Sequence, residues 1–360
     1  MRIITTACWI VTALALAGLA SWFLTGTVFG IRAGGESRNF SSIFHINTFA
    51  TLTGPYNVVG TYNEAVSGID SLNIDWTAGD VTVRPYDGDD IRITEMAQRE
   101  LRETEHLQLK RSGNTLNISF CGPGTIRNIP VKKLEVLVPR ALSGSFSVFT
   151  INTISGPVFV DDINADKCTI KTASGRITLA GITAGTVDVG SISGTIIASS
   201  IRADDLKVDS TSGSVSVTDS AAISYSTDTI SGSVHVSGEF DKARLMSTSG
   251  RITADNSAPG SDIYAETISG SIEVSGSFAT ADFNSTSGKL SVRSSIVPSS
   301  LKAHSISGSI TIAVPGGETI TVHHSSMSGR FSSDVPVTIQ GRGAQFELST
   351  TSGSIRIIEY

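Results

Sequence analysis

Carboxylates are the side chains in this sequence best suited to chemistry: Asp161, Asp162, Asp188, Asp204, Asp205, Asp209, Asp219 and Asp228 recur through its middle. Polysaccharide lyases and hydrolases built on parallel β-helices need such acids, or an acid beside Arg or Lys, gathered on one face. Here the acids fall at different repeat positions, mostly in turns, so they read as solvated residues that stacking does not bring together. His323 and His324 are the one adjacent pair among the histidines, and strand neighbours point to opposite faces, which argues against a shared metal. The abundant serines lack a motif that sets a base beside a nucleophile. The glycine- and aspartate-rich nonapeptide of repetitive calcium sites is absent. Cys8, Cys121 and Cys168 lack metal-ligand spacing. A Cys121–Cys168 disulfide stays open for an extracytoplasmic chain, with two free thiols as the preferred reading. No catalytic residue, metal ligand or cofactor is assigned.

The elements that would carry any site are themselves unusually legible. From Ile151 to Ile357 one phrase recurs eleven times: a hydroxyl residue, any residue, Ser, Gly, any residue, an apolar residue. Its glycines are Gly156, Gly175, Gly194, Gly213, Gly232, Gly250, Gly270, Gly288, Gly308, Gly329 and Gly353, spaced by 18 to 24 residues and most often by 19. A short, steady period marks a solenoid, in which each repeat buries its apolar face only against its neighbours. Counted from the glycine, positions minus seven and minus five are mostly apolar, and plus two and plus four are apolar almost throughout. That alternation is the period of a strand with one face buried. Each repeat therefore reads as strand, tight Ser-Gly corner, strand and turn. The glycine suits a sharp bend or a close backbone approach. The hydroxyl at minus three can satisfy backbone groups that the bend leaves unpaired.

Position minus two alternates as Ile192, Thr211, Ile230, Thr248, Ile268, Thr286, Ile306. This second period leaves two options: single coils of about 19 residues that alternate, which is the preferred reading, or a coil twice as long. About fifteen short coils at roughly 4.8 Å each would make a rod of ~70 Å. The minus-three and minus-one hydroxyls share parity with the apolar positions and should point inward. That disfavours an ice-binding hydroxyl array.

Before the repeats, Ile3 to Ile31 form an uncharged, mostly apolar run, longer than the roughly 20 residues that span a bilayer. It reads as a retained transmembrane helix over residues 1–32, with a cleaved signal peptide as the alternative. Its positive flank places the amino terminus in the cytoplasm and the remainder outside. Residues 33–68 read as a linker or loosely packed lead-in, 69–150 as degenerate capping coils, and 151–360 as the regular solenoid. Leu72, Ile74, Gly79, Val81 and Val83 repeat the phrase imperfectly, with Trp76 in the hydroxyl position. The charged run from Thr94 to Arg111 reads as a solvated excursion or short helix. With 27 Lys and Arg against 33 Asp and Glu, the net charge of −6 excludes nucleic acid as a partner.

The entry segment Ile74-Asp75-Trp76-Thr77-Ala78-Gly79-Asp80-Val81-Thr82-Val83, the strand Leu134-Glu135-Val136-Leu137-Val138-Pro139 and the Thr-Ile-Ser-Gly phrases resemble the bacterial “putative adhesin” β-strand-repeat family. This is a domain-of-unknown-function family of membrane-anchored, extracytoplasmic proteins. The resemblance covers roughly residues 68–360. It implies an all-β solenoid and a non-enzymatic role in binding or scaffolding at the cell envelope, toward an envelope glycan or a surface protein. The family pattern offers no catalytic residue to carry over. A polysaccharide-acting β-helix enzyme is the alternative. Exposed Arg176, Arg251, Lys289 and Arg330, each just after a corner glycine, are candidate contacts.

Overall fold

A computed structural model describes residues 55–122 and 130–360. The anchor read over 1–32, the first part of the lead-in and Cys8 lie outside these residues. Among the described residues, no helix is long and apolar enough to cross a membrane.

The repeats wind as single coils. Asn164–Ser174 pairs in parallel with Thr183–Ser191, aligning Ile170 with Val189, and Ile177–Ala180 pairs with Ile196–Ser199. The offset is one 19-residue repeat, so the short coil is correct. Strands before the corner stack into a leading sheet and strands after it into a trailing sheet, with the core between them. Leu206, Val208, Val215 and Val217 are buried from one coil, and Phe346, Leu348, Ile355 and Ile357 from another. Bulky residues are offset by small ones in the column: Phe283 lies between Ala265 and Ala303. Such alternation lets bulky side chains interdigitate along the stack, as close packing of an interior requires.

The corner rests on close approach. A Cβ placed on Gly194 would lie 1.7 Å from the Gly175 carbonyl oxygen, on Gly232 2.0 Å from that of Gly213, and on Gly353 2.3 Å from that of Gly308. Real Cβ atoms do not come so near an oxygen, so the column admits only glycine. Positive φ is a separate demand, made at the first corners, where Gly79 has φ +98° and Gly156 φ +127°. From Gly194 to Gly270 the minus-three hydroxyl secures the bend, whereas Ser285 and Ser305 at the next two corners are buried without a hydrogen-bond partner. Ser210 Oγ accepts from the Gly213 amide at 2.9 Å and donates to the Gly194 carbonyl at 3.4 Å, tying two coils together. Ser247 and Thr267 repeat both bonds. Ten of the eleven hydroxyls are buried as expected, from Thr153 to Thr350, and Ser326 in the outermost coil is half-buried. The minus-one hydroxyls turn outward instead, as at Ser212, Ser231 and Ser249, because the corner breaks the strand alternation.

Neither end follows chain order. Ser71–Ala78 pairs on one side with Phe146–Ser155 and on the other with Thr115–Ser119. Val81–Tyr86 likewise lies between Val158–Asp161 and Lys132–Pro139. The first coil is therefore second in the stack. At the other end Gln345–Thr350 lies between Ser300–Ser305 and Ile320–Ser326, and Ile355–Glu359 between Ile310–Val314 and Phe331–Ser333. The last coil is thus inserted beneath the one before it. The lead-in is also more ordered than its polar composition suggested, since Asn57–Ala65 is a strand antiparallel to Asp90–Ala97.

The capping coil holds a buried ionic plug. Lys132 ends the glycine column: its carbonyl oxygen lies 2.0 Å from where a Gly79 Cβ would be, and Trp76 Nε1 donates to it at 3.2 Å. Trp76 thus does the work of the absent hydroxyl. The Lys132 ammonium, fully buried, donates to Glu95 at 2.6 Å, to the Glu105 carbonyl at 2.7 Å and to the Phe120 carbonyl, beneath the faces of Phe120 and Trp76. His106 Nδ1 meets the other Glu95 oxygen at 2.9 Å. Arg99 grips Glu105 through two bonds of 2.8 and 2.9 Å. The charged run is therefore not wholly solvated, because Glu95 and Glu105 turn inward. Its helix reduces to one 3₁₀ turn, Glu103–Glu105.

Two predictions follow the packing. Gly232→Val should cost at least about 3 kcal/mol and Ser233→Ala no more than about 0.5 kcal/mol, since only the former collides with backbone. Equal melting temperatures would refute the corner. The Arg99 guanidinium, and then the Arg102 amide, hold the Glu105 carboxyl down at about 2 against the burial that raises it. A depressed acid stabilises the fold above its unfolded value of 4.5 and loses that contribution as pH falls through its folded value. The stability gap between the native chain and Glu105→Gln, on the order of 2 kcal/mol at pH 7, should close between pH 4.5 and 2 in urea titrations.

Candidate functional site

The outward face of the leading sheet carries side chains at minus eight, minus six and minus four, because minus seven and minus five are committed to the core. Parallel in-register pairing stacks them into columns. At minus six the order in space is Asp188, Lys207, Ser226, Arg244, Tyr264, Asp282, Lys302, Glu347, His323. An open groove of about 440 Å³ runs along this face from Ser224 and Ser226 to Ser300 and Lys302, with Lys242, Arg244, Asp262, Tyr264 and Asp282 between.

Its polar groups are unevenly satisfied. Asp262 accepts from the Thr280 hydroxyl at 2.6 Å, and Asp282 from the Asn284 amide at 3.0 Å. The Tyr264 hydroxyl donates to Glu266, and burial together with that bond pushes its ionisation up to about 12. The Arg244 guanidinium lies 4.7 Å over the Tyr264 ring. Among the described residues, Lys242 and Lys302 have no carboxylate within ion-pair distance. The groove thus offers one oriented aromatic ring and unspent cationic donors, with its acids already capped by neutral partners.

Beside the groove, the structure corrects one expectation. Asp209 and Asp228 do converge, on adjacent coils of this face, with Asp188 on the coil before them in register with Lys207. Asp209 pairs with Lys207 at 3.0 Å and accepts from the Asp228 amide at 3.1 Å, while Lys171 pairs with Asp188. Burial, and then the Asp209 charge, push the Asp228 carboxyl above its ordinary range, although its side chain reaches solvent. The remaining acids stay apart: Asp162 and Asp219 hold left-handed turn positions with φ 49° and 51°, Asp161 ends a trailing strand, and Asp204 and Asp205 are exposed at the sheet margin.

His323 and His324 point to opposite faces. His323 borders a smaller hollow with Lys302 and Glu347, whereas His324 stacks on Phe331 at 3.9 Å and closes the end of the core. Among the described residues, no three His, Cys, Asp or Glu are grouped to hold a metal. Cys121 and Cys168 are free thiols, and burial pushes Cys168 up to about 12. Arg176, Arg251, Lys289 and Arg330 are exposed at the corner, away from the groove. The eleven predicted corner glycines stand in one column, joined by Gly79, and do structural work. Tyr264 and Arg244 were missed by sequence reasoning. Their only signal was a position, minus six, whose outward direction follows from the core alternation.

A sequence model described as Toastrack DUF4097 matches residues 69–275 and, again, 221–358. The chain belongs to this family of unknown function. Double matching over a shared stretch is natural for a stack of equivalent coils. No curated protein matches the sequence. Similar solved structures include a “putative adhesin” of Parabacteroides distasonis, 15% identical, covering 85% of this chain and 98% of that one with a TM-score of 0.38. Another, from Parabacteroides merdae, is 11% identical over 83% of this chain and 95% of that one, at 0.37. A “putative lipid binding protein” of P. distasonis is 16% identical over 83% and 96%, at 0.33.

A carboxyl raised in the folded state penalises folding above its folded value and ceases to do so as pH falls below it. Asp228→Asn should therefore raise the melting temperature at pH 7, and the gain should vanish on acidification. A loss of stability at pH 7 would mean that Asp228 is held by a cation instead.

Proposed function

We propose that this Toastrack chain is an adhesin-like binding or scaffolding protein of the bacterial cell envelope. In this reading it is held in the membrane by its apolar amino-terminal segment and displays the solenoid outside the cell. The observation that carries it is the groove over Ser224–Lys302, where Arg244, Tyr264 and two unpaired lysines lie on rigid strands. Strand pairing sets these groups about 4.8 Å apart along the stack. An extended polymer laid across the coils meets donors and a ring at regular intervals, which suits an envelope glycan or an extended segment of a surface protein. A binding site of this kind works by matched positions fixed in advance, and it needs no catalytic group.

A second reading has one observation behind it. Asp228, raised, beside Asp209, ion-paired, is the division of roles that an acid and a base need in glycoside chemistry. Release of reducing ends from polysaccharide by the purified chain, abolished by Asp228→Asn, would favour hydrolysis.

The binding reading is tested by capture from native envelopes and on glycan arrays with the full chain as bait. Arg244→Ala and Tyr264→Ala should each lower retention about tenfold, the ~1.4 kcal/mol expected of one good contact, without shifting the melting temperature by more than a few degrees. Retention that neither substitution changes would remove the groove from consideration.

A further inference from the structure

The two ends of the solenoid are finished in opposite ways. Where the described chain begins, Gln108–Ser112 covers Thr115–Ser119, and Asp90–Ala97, itself covered by Asn57–Ala65, covers Lys132–Pro139. The strands left outermost there are blunted. Gln108–Ser112 exposes Lys110 and Arg111, and Asn57–Ala65 is broken by an irregularity between Val58 and Gly60. Charges and bulges of this kind stop a sheet edge from recruiting another strand.

At the far end these devices are missing. Ile320–Ser326 pairs on its inner side with Gln345–Thr350, and on its outer side only Ile320 and Thr321 are met, by Val337 and Thr338. Phe331–Ser333 pairs with Ile355–Glu359 alone. Between residues 320 and 333 the only charged side chain is that of Arg330, in the corner. Met327, Ile339 and Val337 stand exposed around this edge, by 83%, 73% and 40%.

We infer that this open end pairs with the same end of a second copy. A two-fold axis normal to the sheets sets the leading edge against its own copy and the trailing edge against its own, both antiparallel, so both sheets continue through the junction. The edge is nearly neutral, so self-pairing brings no like-charge repulsion beyond Arg330. The covered end cannot take part, so assembly closes at a dimer and no filament grows. Only short strands join, which makes the free dimer weak and lets many copies on a surface reinforce it. Resting on the membrane-anchored reading above, the pairing joins copies carried by two facing membranes, because the anchor precedes the covered end in the chain.

Detergent-solubilised full chain should show a concentration-dependent rise in mass by sedimentation equilibrium, abolished by Ser325→Glu with Ser332→Glu, two exposed positions beside the axis. With Cys8→Ser and Cys121→Ser as background, His324→Cys, which faces its own copy across the axis, should give a covalent dimer on mild oxidation, and Ser112→Cys on the covered end should not. A native chain that stays monomeric at every concentration, or a dimer unchanged by the two glutamates, overturns the inference. Vesicles bearing the full chain should cluster and lose clustering with the same pair of substitutions. Dimers in detergent without vesicle clustering would leave the pairing intact and sink the anchored arrangement.

Discussion

One contact governs this fold: the carbonyl oxygen of each corner glycine occupies the place where the next corner's Cβ would be. Because the backbones meet there, the minus-three hydroxyl can accept from its own glycine amide and reach the glycine carbonyl of the preceding coil. Register is thereby set at the corner. Repeats of unequal length are absorbed on the opposite turn, where pairing shifts between Val217 and Ser220, between Gly238 and Lys242, and between Asn256 and Ser261. The leading strands re-enter alignment each time before the next corner. A slip of one residue would exchange core and surface along a whole coil.

A stack of nearest-neighbour contacts should fray from its ends. Interleaving removes the weakest member, the coil at each chain end. The last coil is held on two faces, and the outermost coil, Ile320–Ser326 with Phe331–Ser333, is tethered by chain on both sides. The geometry demands a longer connector, since the chain must step over one level. Residues 315–319 supply it, where ordinary coils use only 181–182. At the other end the step over is made by 140–145, including the short helix Arg140–Ser143.

The corners were readable because glycine and hydroxyl are demanded by local geometry, and local demands leave a local mark. Stacking order leaves none: Gly329 and Gly353 carry the same corner phrase whichever lies outside. One trace did exist. At minus two, chain order places Met327 after Ile306, two bulky residues in succession, while spatial order inserts Thr351 between them and preserves the alternation. The second period was thus a packing rule between neighbouring single coils, and its apparent failure at the end reported the inversion. The Lys132–Glu95 pair was hidden for another reason. Its members are 37 residues apart, and Glu95 lies in a run whose mixed charge resembles a solvated loop. Convergence of Asp209 with Asp228 likewise required the coil offset before it could be seen.

On the binding reading proposed above, the same register explains how so plain a sequence would make a selective surface. In-register pairing converts a repeat position into a column, so the chemistry of the face is written along the stack and not along the chain. At minus six, Asp188 meets Lys207, and Tyr264 lies between Arg244 and Asp282. Along this column Lys207, Arg244 and Lys302 balance Asp188, Asp282 and Glu347, so it is neutral within a chain whose net charge is −6. What remains is position. Groups fixed on paired strands lose little freedom on binding, so a ligand whose repeat matches the coil spacing gains from several modest contacts at once, and one with another repeat gains from few. Selectivity here would come from periodicity, which a corner column tolerant only of glycine keeps constant over the length of the stack.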